Sequence, residues 1–398
     1  MMTGEQKRKI TVLMINMFIA IGSFGIVIPI LPAYLESINQ GGTAAGLMIA
    51  IFAGAQFLFS PIAGKWADQY GRRIMIILGL AGLTLSMFIF YAFDSIWWLY
   101  ISRFIGGIGA ALLVPAIFAY VADITTFEQR AKGNSYVSAA MSLGIVVGPG
   151  IGGFLADYGL KFPFLVSAFV SLVAVFFSIG MLQESKTDDN ILSLQSDQTD
   201  NESMIHKIMR SVKMPYFIPL IITLVMSFGL IAYESVIGLY LDDQFQSTAK
   251  EIAIMVTATG VVSVIAQLFV VDRIVSKFGE GPVLITFIFV CAAGFLFSLL
   301  ANSYSLFFIV SLIIFLSTSI LRPVLNTLIS KLAGNEQGFA MGMNNAYMSI
   351  GNIVGPTFAG ILYDVNIIYP FILGLVLLIV TLLITVSWRK RSVKAKII

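Results

Sequence analysis

Twelve long apolar stretches follow one another along the chain, and they limit its possible folds more than any other feature. Each stretch is about twenty residues long, which is the length that an α-helix needs to cross a bilayer. They cover residues 10–34, 44–65, 73–93, 96–121, 132–155, 162–183, 214–240, 250–271, 281–301, 304–330, 338–362 and 367–388. We therefore predict an all-α polytopic membrane protein with twelve transmembrane helices.

The composition supports the same class of protein. Hydrophobic residues make up 58% of the 398 residues and charged residues only 11%, whereas soluble domains carry about 25% charged residues. The partner that such a surface requires is a lipid bilayer. The formal net charge of +3 gives no indication of nucleic-acid binding, and nothing in the sequence calls for an obligate protein partner.

Cysteine and histidine are too scarce for most catalytic chemistry. Cys291 and His206 are the single residues of their types. A disulfide within the chain, a Cys–His or Ser–His catalytic group and a metal site are therefore disfavoured. We expect no cofactor, no metal and no enzymatic activity. The first apolar stretch has no cleavage pattern after it, which indicates a membrane span rather than a signal peptide.

Basic residues concentrate at one set of helix ends. These ends carry Lys7, Arg8, Lys9, Lys65, Arg72, Arg73, Arg130, Lys132, Lys186, Lys207, Arg210, Lys213, Arg273, Lys277, Lys331 and the tail from Arg389 to Lys396. The opposite ends carry only Lys161 and Lys250. Because Lys and Arg gather on the cytoplasmic side of membrane proteins, both termini are predicted to be cytoplasmic, and the predicted location is the cell membrane.

The polar stretch in the middle of the chain divides it into two halves. We predict an N-terminal six-helix bundle over residues 1–183, a cytoplasmic loop over 184–213 and a C-terminal six-helix bundle over 214–398. The first part of the loop is rich in Asp, Asn, Gln and Thr and is predicted to be disordered. Residues 204–213 mix apolar and basic side chains, which fits either a short helix on the membrane surface or a solvated linker.

One helical segment occurs twice, at 142–157 and at 349–364, each time in the fifth stretch of its half. Both copies contain a Gly-Pro pair, Gly148-Pro149 and Gly355-Pro356. Such a pair leaves a bendable helix that a neighbour can approach closely, so we interpret it as a gate whose enlargement would jam the contact between the two bundles. The alternative is a kinked packing helix that recurs. A repeated six-helix unit around a central cavity is typical of transporters that open alternately to the two sides of a membrane.

The loop between the second and third stretches contains Asp68, Gly71, Arg72 and Arg73. A carboxylate, a tight turn and two arginines between two spans indicate a function beyond setting the orientation of the chain in the membrane. Two further charged residues, Asp123 and Arg130, lie at the end of the fourth stretch.

Three charged side chains are predicted to lie inside spans: Glu234 in the seventh, Arg103 in the fourth and Arg322 in the tenth. Desolvation there favours the protonated acid, so Glu234 could take up and release a proton as access alternates. Its ionised form would attract a cationic ligand. Charged groups within membranes are functional in most cases, although a structural role for Glu234 or Arg103 remains the alternative.

Further polar and aromatic side chains could line a cavity for substrate. The predicted substrate contacts are Glu234, Tyr233, Gln56, Ser142, Tyr136, Asn344, Asn352 and Tyr347. A mostly apolar cavity with a few polar groups suits large amphipathic molecules of varied shape. For each aromatic residue taken alone, ordinary helix packing is the alternative.

The charged loop resembles the signature loop of the major facilitator superfamily of transporters. Its segment Gly64 to Arg73 departs from the signature at Trp66 and Gln69. The resemblance implies that Asp68 meets the N-terminus of the eleventh span and the end of the fourth, as a cytoplasmic latch. It also implies that Asp123 and Arg130 complete the ion-pair network of this gate. The Gly148-Pro149 segment is similar to the antiporter motif of the same superfamily. Arg103 and the glycines after it resemble the arginine motif tied to proton coupling.

Glu234, the Arg322-Pro323 pair and the Pro29 and Pro32 region together resemble the NorA and Bmr type of Gram-positive multidrug efflux pumps. The resemblance implies proton-coupled export of drugs, dyes and quinolones from a bacterial, Gram-positive cytoplasm. In that group a second acid precedes the arginine by three residues, where this chain has Ser319. The alternatives are an exporter of one metabolite or of tetracycline-like antibiotics, and a proton-coupled nutrient importer.

Overall fold

The computed structural model describes residues 2–185, 204–334 and 336–394, and within them the regular structure is helical throughout. The helices are α1 (Gly4–Val27), α2 (Leu31–Ser37), α3 (Gly42–Tyr70), α4 (Arg72–Ala92), α5 (Ile96–Ile124), α6 (Phe127–Leu155), α7 (Phe162–Met181), α8 (Met204–Ser211), α9 (Phe217–Phe245), α10 (Ala249–Ile265), α11 (Val271–Phe278), α12 (Glu280–Leu299), α13 (Tyr304–Ala333), α14 (Gln337–Val365) and α15 (Tyr369–Lys394).

The described part of the chain contains 11 helical segments that are long and apolar enough to cross a membrane. They correspond to eleven of the twelve predicted stretches. The remaining stretch is α14, which at 29 residues is long enough to span but is less apolar. Glycines and the amide side chains of Asn344, Asn345 and Asn352 lower its hydropathy. The prediction of an all-α membrane protein is confirmed.

Two predicted spans are interrupted. The first stretch ends as a regular helix at Val27, and α2 begins at Leu31, because Pro29 cannot donate the hydrogen bond that would continue the helix. The eighth stretch passes through a π-helical turn at Ala266–Val270 between α10 and α11. Hydropathy does not register either interruption, because the residues on both sides of each break are apolar.

The chain forms two compact units by its own contacts. The first contains residues 1–40, 51–200 and 248–257, and the second contains residues 41–50, 201–247 and 258–398. The units follow the two halves of the chain except that the start of α3 and the start of α10 group with the other half. Helix α3 is therefore divided between the units near residue 50.

The same helix pairings occur in each unit. In the first unit α1 packs on α6, and α4 packs on α5 and α7. In the second unit α9 packs on α14, and α12 packs on α13 and α15. The core of the first unit is built from aliphatic side chains of α1, α4 and α5, including Leu13, Met17, Leu80 and Ile117. This repetition matches the sequence repeat, because the Gly-Pro helices α6 and α14 occupy equivalent places.

The central loop is described only in part. Its polar segment, residues 186–203, lies outside the described residues. Residues 204–211 form α8, and the Ser211 hydroxyl lies 3.0 Å from the hydroxyl of Tyr347 on α14. Met209 and Val212 are exposed. The sequence was compatible with either a short helix or a solvated linker here, and the structure has the helix. Its place on the membrane surface remains a prediction.

Candidate functional site

The loop between α3 and α4 holds a cluster of charges around Arg72. Gly71, at φ +97°, makes the turn that a residue with a side chain would rarely adopt. Arg72 then lies 2.6 Å from Oδ1 of Asp68 and 3.2 Å from Oδ2 of Asp123, so one guanidinium bridges two carboxylates. Arg130 donates to the carbonyl of Ala122 at 3.2 Å, near the end of α5. The predicted contact of Asp68 with the eleventh span stays a prediction.

Glu184 belongs to the same cluster, and sequence reasoning missed it. Its carboxylate accepts from the backbone N–H groups of Arg72 at 2.8 Å and of Arg73 at 3.2 Å. The acid thus caps the start of α4, where free amides and the helix dipole favour a negative charge. Ser185 donates to Asp123 at 2.8 Å, and Arg73 donates to the carbonyl of Ile179 at 2.6 Å. The available signal was an acid directly after the sixth span.

Arg103 is buried in the first unit beneath an aromatic ring. Its guanidinium carbon lies 4.3 Å from the centre of the Phe90 ring, and only 3% of the residue is exposed. Among the described residues, its Nε and Nη2 have no hydrogen-bond partner. Phe90 in turn packs on Tyr34 and Phe164. The charge of Arg103 is therefore stabilised by its cation–π contact with Phe90.

The Gly-Pro helices contact the first helix of their own unit. A Cβ atom added to Gly148 would lie 2.7 Å from the carbonyl oxygen of Gly22 on α1, and Pro149 packs against Gly25. A Cβ added to Gly355 would overlap the carbonyl oxygen of Phe228 on α9. The closest neighbours of Gly148 and Gly355 therefore lie in the same unit and not in the other bundle as predicted, and the gating role of the two Gly-Pro pairs stays a prediction. Pro356 faces Gly46 at the start of α3.

Glu234 on α9 and Arg322 on α13 lie close enough in the second unit to interact electrostatically. Glu234 is half-buried and Arg322 is exposed. Nη2 of Arg322 lies 3.7 Å from Sδ of Met348 on α14. Three helices thus bring a carboxyl, a guanidinium and a thioether together. Ser319 is buried, and its hydroxyl donates to the carbonyl of Phe315 at 2.7 Å within its own helix.

The remaining predicted substrate contacts divide into an accessible and a buried group. Tyr136 is exposed and Lys132 lies near its ring. The half-buried members are Gln56, Ser142 and Asn352. The side chains of these four residues are therefore at least partly accessible.

Tyr233, Asn344 and Tyr347 are buried in the second unit, which differs from the prediction. The Tyr233 hydroxyl lies 2.7 Å from that of Ser311, and its ring is surrounded by Phe295, Phe307, Phe315 and Phe371. Asn344 donates to Oδ1 of Asn326 at 2.8 Å, and Tyr347 lies under α8. These side chains pack inside the unit in this structure, and their contact with a substrate stays a prediction.

A separate cleft of about 500 Å³ lies in the first unit at the opposite ends of the helices from Arg72. Tyr34, Tyr91 and Tyr158 line it, and Lys161 lies 2.6 Å from Asp94 at its edge. Glu234 and Arg322 belong to the other unit. The cleft is therefore distinct from the Glu234 site.

A helical membrane protein with a half-buried acid, an intramembrane arginine and a charged interhelical loop has the features of a transporter. A model of the Major Facilitator Superfamily matches residues 13–234 and 219–397, and the chain belongs to this family.

The chain is similar over nearly its whole length to proteins of Gram-positive bacteria. It is 40% identical over 98% of its residues to Multidrug resistance protein 2 of Bacillus subtilis (strain 168), of which 97% is covered. It is 31% identical to Quinolone resistance protein NorA of Staphylococcus aureus (strain Mu50 / ATCC 700699), with 98% of each chain covered. The resemblance of the sequence to this group is confirmed.

Solved structures share the fold at low sequence identity. A bacterial homolog of the human lysosomal transporter Spinster matches with a TM-score of 0.73 at 15% identity, over 98% of this chain and 96% of that one. The human organic anion transporter MFSD10 matches with a TM-score of 0.65 at 19% identity, over 96% of this chain and 100% of that one. These likenesses concern the fold alone.

Proposed function

We propose that the chain exports chemically varied amphipathic compounds from the bacterial cytoplasm in exchange for protons. It acts in the cytoplasmic membrane with both termini inside. The observation that carries the proposal is Glu234, a half-buried acid on α9 beside Arg322. The relatives named for multidrug and quinolone resistance support the class of substrate.

In the working cycle Glu234 takes a proton from the outer side, and a bound cationic compound loses its counter-charge and leaves. Release of the proton to the cytoplasm restores the carboxylate, which binds the next compound. Each proton contributes about 1.4 kcal/mol per pH unit of gradient and about 2.3 kcal/mol per 100 mV of membrane potential. A group that alternates between neutral and charged forms inside a span can couple these two processes.

Arg322 on α13 interacts electrostatically with this acid, and Met348 on α14 contacts Arg322. The guanidinium limits the negative potential at Glu234, and the flexible thioether adapts to apolar groups of different shape. The accessible residues Gln56, Ser142, Tyr136 and Asn352 are proposed to provide further contacts. A site with few directional polar groups accepts many compounds.

Everted membrane vesicles that contain the protein test the proposal. They should take up monovalent dyes and quinolones when a proton gradient is imposed, and a protonophore should abolish the uptake. Uptake of a single compound from a broad panel would indicate a specific exporter instead. Uptake that a protonophore leaves unchanged would contradict proton coupling.

A further inference from the structure

Asp364, near the end of α14, holds the first turn of α3. Its carboxylate accepts from the backbone N–H of Gly42 at 2.6 Å and from that of Thr43 at 2.9 Å. Gly41 stands just before the helix, since its carbonyl accepts from the N–H of Ala45. Asp364 therefore satisfies the first two free amides of α3 with a negative charge, which the positive end of the helix dipole favours.

Glycines make this contact a direct approach of two backbones. A Cβ added to Gly42 would lie 2.8 Å from Cβ of Tyr363, and one added to Gly46 would overlap the carbonyl oxygen of Pro356. On the other helix, a Cβ added to Gly360 would overlap the carbonyl oxygen of Gly42. No side chain separates the two helices here, so the carboxylate reaches the amides from a fixed position.

The end of α14 is itself anchored. The hydroxyl of Tyr363 donates to Oδ2 of Asp243 at 2.6 Å, which ties α14 to the end of α9. The residue directly before Asp364 is thus held by another helix of the same unit. Asp364 can therefore act as a fixed support to which α3 is attached or from which it is released.

The internal repeat provides a comparison, because Asp157 occupies the equivalent position in the first half. The helix start near that segment is α10, and it carries its own cap. Thr248 N–H donates to Oε2 of Glu251 at 2.8 Å, and Glu251 N–H donates to the Thr248 hydroxyl at 3.3 Å. Asp157 is exposed. Of the two equivalent residues, Asp364 caps the start of a helix that is distant in the sequence, whereas α10 is capped by its own residues.

Helix α3 connects this contact to the charged loop. Its first residues, up to residue 50, belong to the second unit, and the rest belongs to the first unit. At its other end it carries Asp68, which pairs with Arg72. One continuous helix is therefore attached through carboxylates at both ends, each time within a different unit.

We infer that Asp364 is a positioning residue for transport: it fixes the start of α3 on α14 in the state of this structure and must release it in each cycle. The release rests on the proposed function, because only a transporter that changes state requires it. The contact between Asp364 and the first turn of α3 is present in the folded chain, so it can be measured without any substrate.

Hydrogen–deuterium exchange of the purified protein in nanodiscs tests the hold. Asp364→Asn should raise the exchange rate of the first-turn amides of α3 at least about tenfold, which corresponds to about 1.4 kcal/mol. Gly41→Ala should have the same effect with the acid in place, because the added methyl would lie 2.5 Å from Oδ1 of Asp364. Asp157→Asn is the matched control and should leave these amides unchanged. Unchanged exchange in both test variants would overturn the inference.

Dye transport tests the release and separates it from the proposed function. Asp364→Asn should lower the maximal rate of dye uptake by everted vesicles several-fold and leave KM unchanged, because Asp364 touches no substrate in this scheme. Faster amide exchange with normal transport would reduce Asp364 to a structural cap and overturn its positioning role. If the wild type moves no dye while the exchange results hold, the proposed function fails and the hold on α3 stands.

Discussion

At the scale of single residues, the proposal about how the protein handles charge rests on Glu234 and Ser319. Glu234 is half-buried near an exposed arginine. Ser319 is buried one turn before Arg322 and is bonded to its own helix. Glu234, the proposed proton carrier, and Ser319, where the resemblance to multidrug pumps implies that the group has a second acid, therefore have different surroundings.

Glu234→Gln should reduce proton-driven dye uptake to the level of vesicles without the protein. The amide keeps the size of the side chain and cannot take up or release a proton. Uptake driven by an imposed pH gradient in everted vesicles measures the effect. Glu36→Gln, at an exposed acid outside the long helices, should transport normally. A Glu234→Gln variant with the wild-type pH dependence would contradict the proton-carrier role.

Ser319→Asp should raise resistance to cationic dyes and leave resistance to quinolones little changed. The new carboxylate would stand three residues before Arg322 on the same helix, where the two charges can pair. Growth of cells in one compound of each charge class measures the profile. Ser317→Asp, also buried on α13, is the control that introduces a carboxylate at a different angle around the helix. An equal profile in both variants would show that charge at residue 319 does not select substrates.

At the scale of helices, close glycine contacts and carboxylate caps determine which elements meet. Gly148 and Gly355 each lie against a backbone carbonyl of the first helix in their unit. Glu184 and Asp364 each cap the start of a helix distant in sequence. Both kinds of contact lie within a unit, so we expect changes to them to affect the stability of that unit.

Gly355→Ala should lower the melting temperature, because its methyl group would overlap the Phe228 carbonyl and overpacking costs about 1–3 kcal/mol. Gly342→Ala on the same helix meets no atom within 4 Å. It should leave stability unchanged or raise it by about 0.5–1 kcal/mol. Cys291, the single cysteine, is buried, so its reaction with a thiol dye during heating reports unfolding. Equal melting temperatures would contradict the tight packing at Gly355.

Glu184→Gln should loosen the first turn of α4 by about 0.3–1 kcal/mol, because a neutral amide replaces the charge at the helix start. Trypsin added to everted vesicles should then cleave after Arg72 and Arg73 faster than in the wild type. Cleavage after Arg273, in the corresponding loop of the second half, should keep its rate and serves as the internal control. The same rate at all three arginines in variant and wild type would rule out the cap.

At the scale of the whole molecule, the sequence predicted the spans because bilayer length and hydropathy determine them directly. It could not predict which faces are buried, because these helices are apolar on all sides and have no polar stripe to orient them. The sequence therefore predicts that Tyr233 and Tyr347 line a cavity, whereas both side chains are buried in the second unit. The caps by Glu184 and Asp364 join residues more than one hundred positions apart. A local sequence pattern cannot predict contacts of this kind.

The division of α3 has a consequence for any attempt to split the protein into separately made halves. A cut in the central loop would leave residues 41–50 on the first fragment, although they belong to the second unit, and residues 248–257 on the second fragment, although they belong to the first. Neither fragment would then contain all the residues of a folded unit. The two halves of the chain and the two compact units therefore do not contain the same residues.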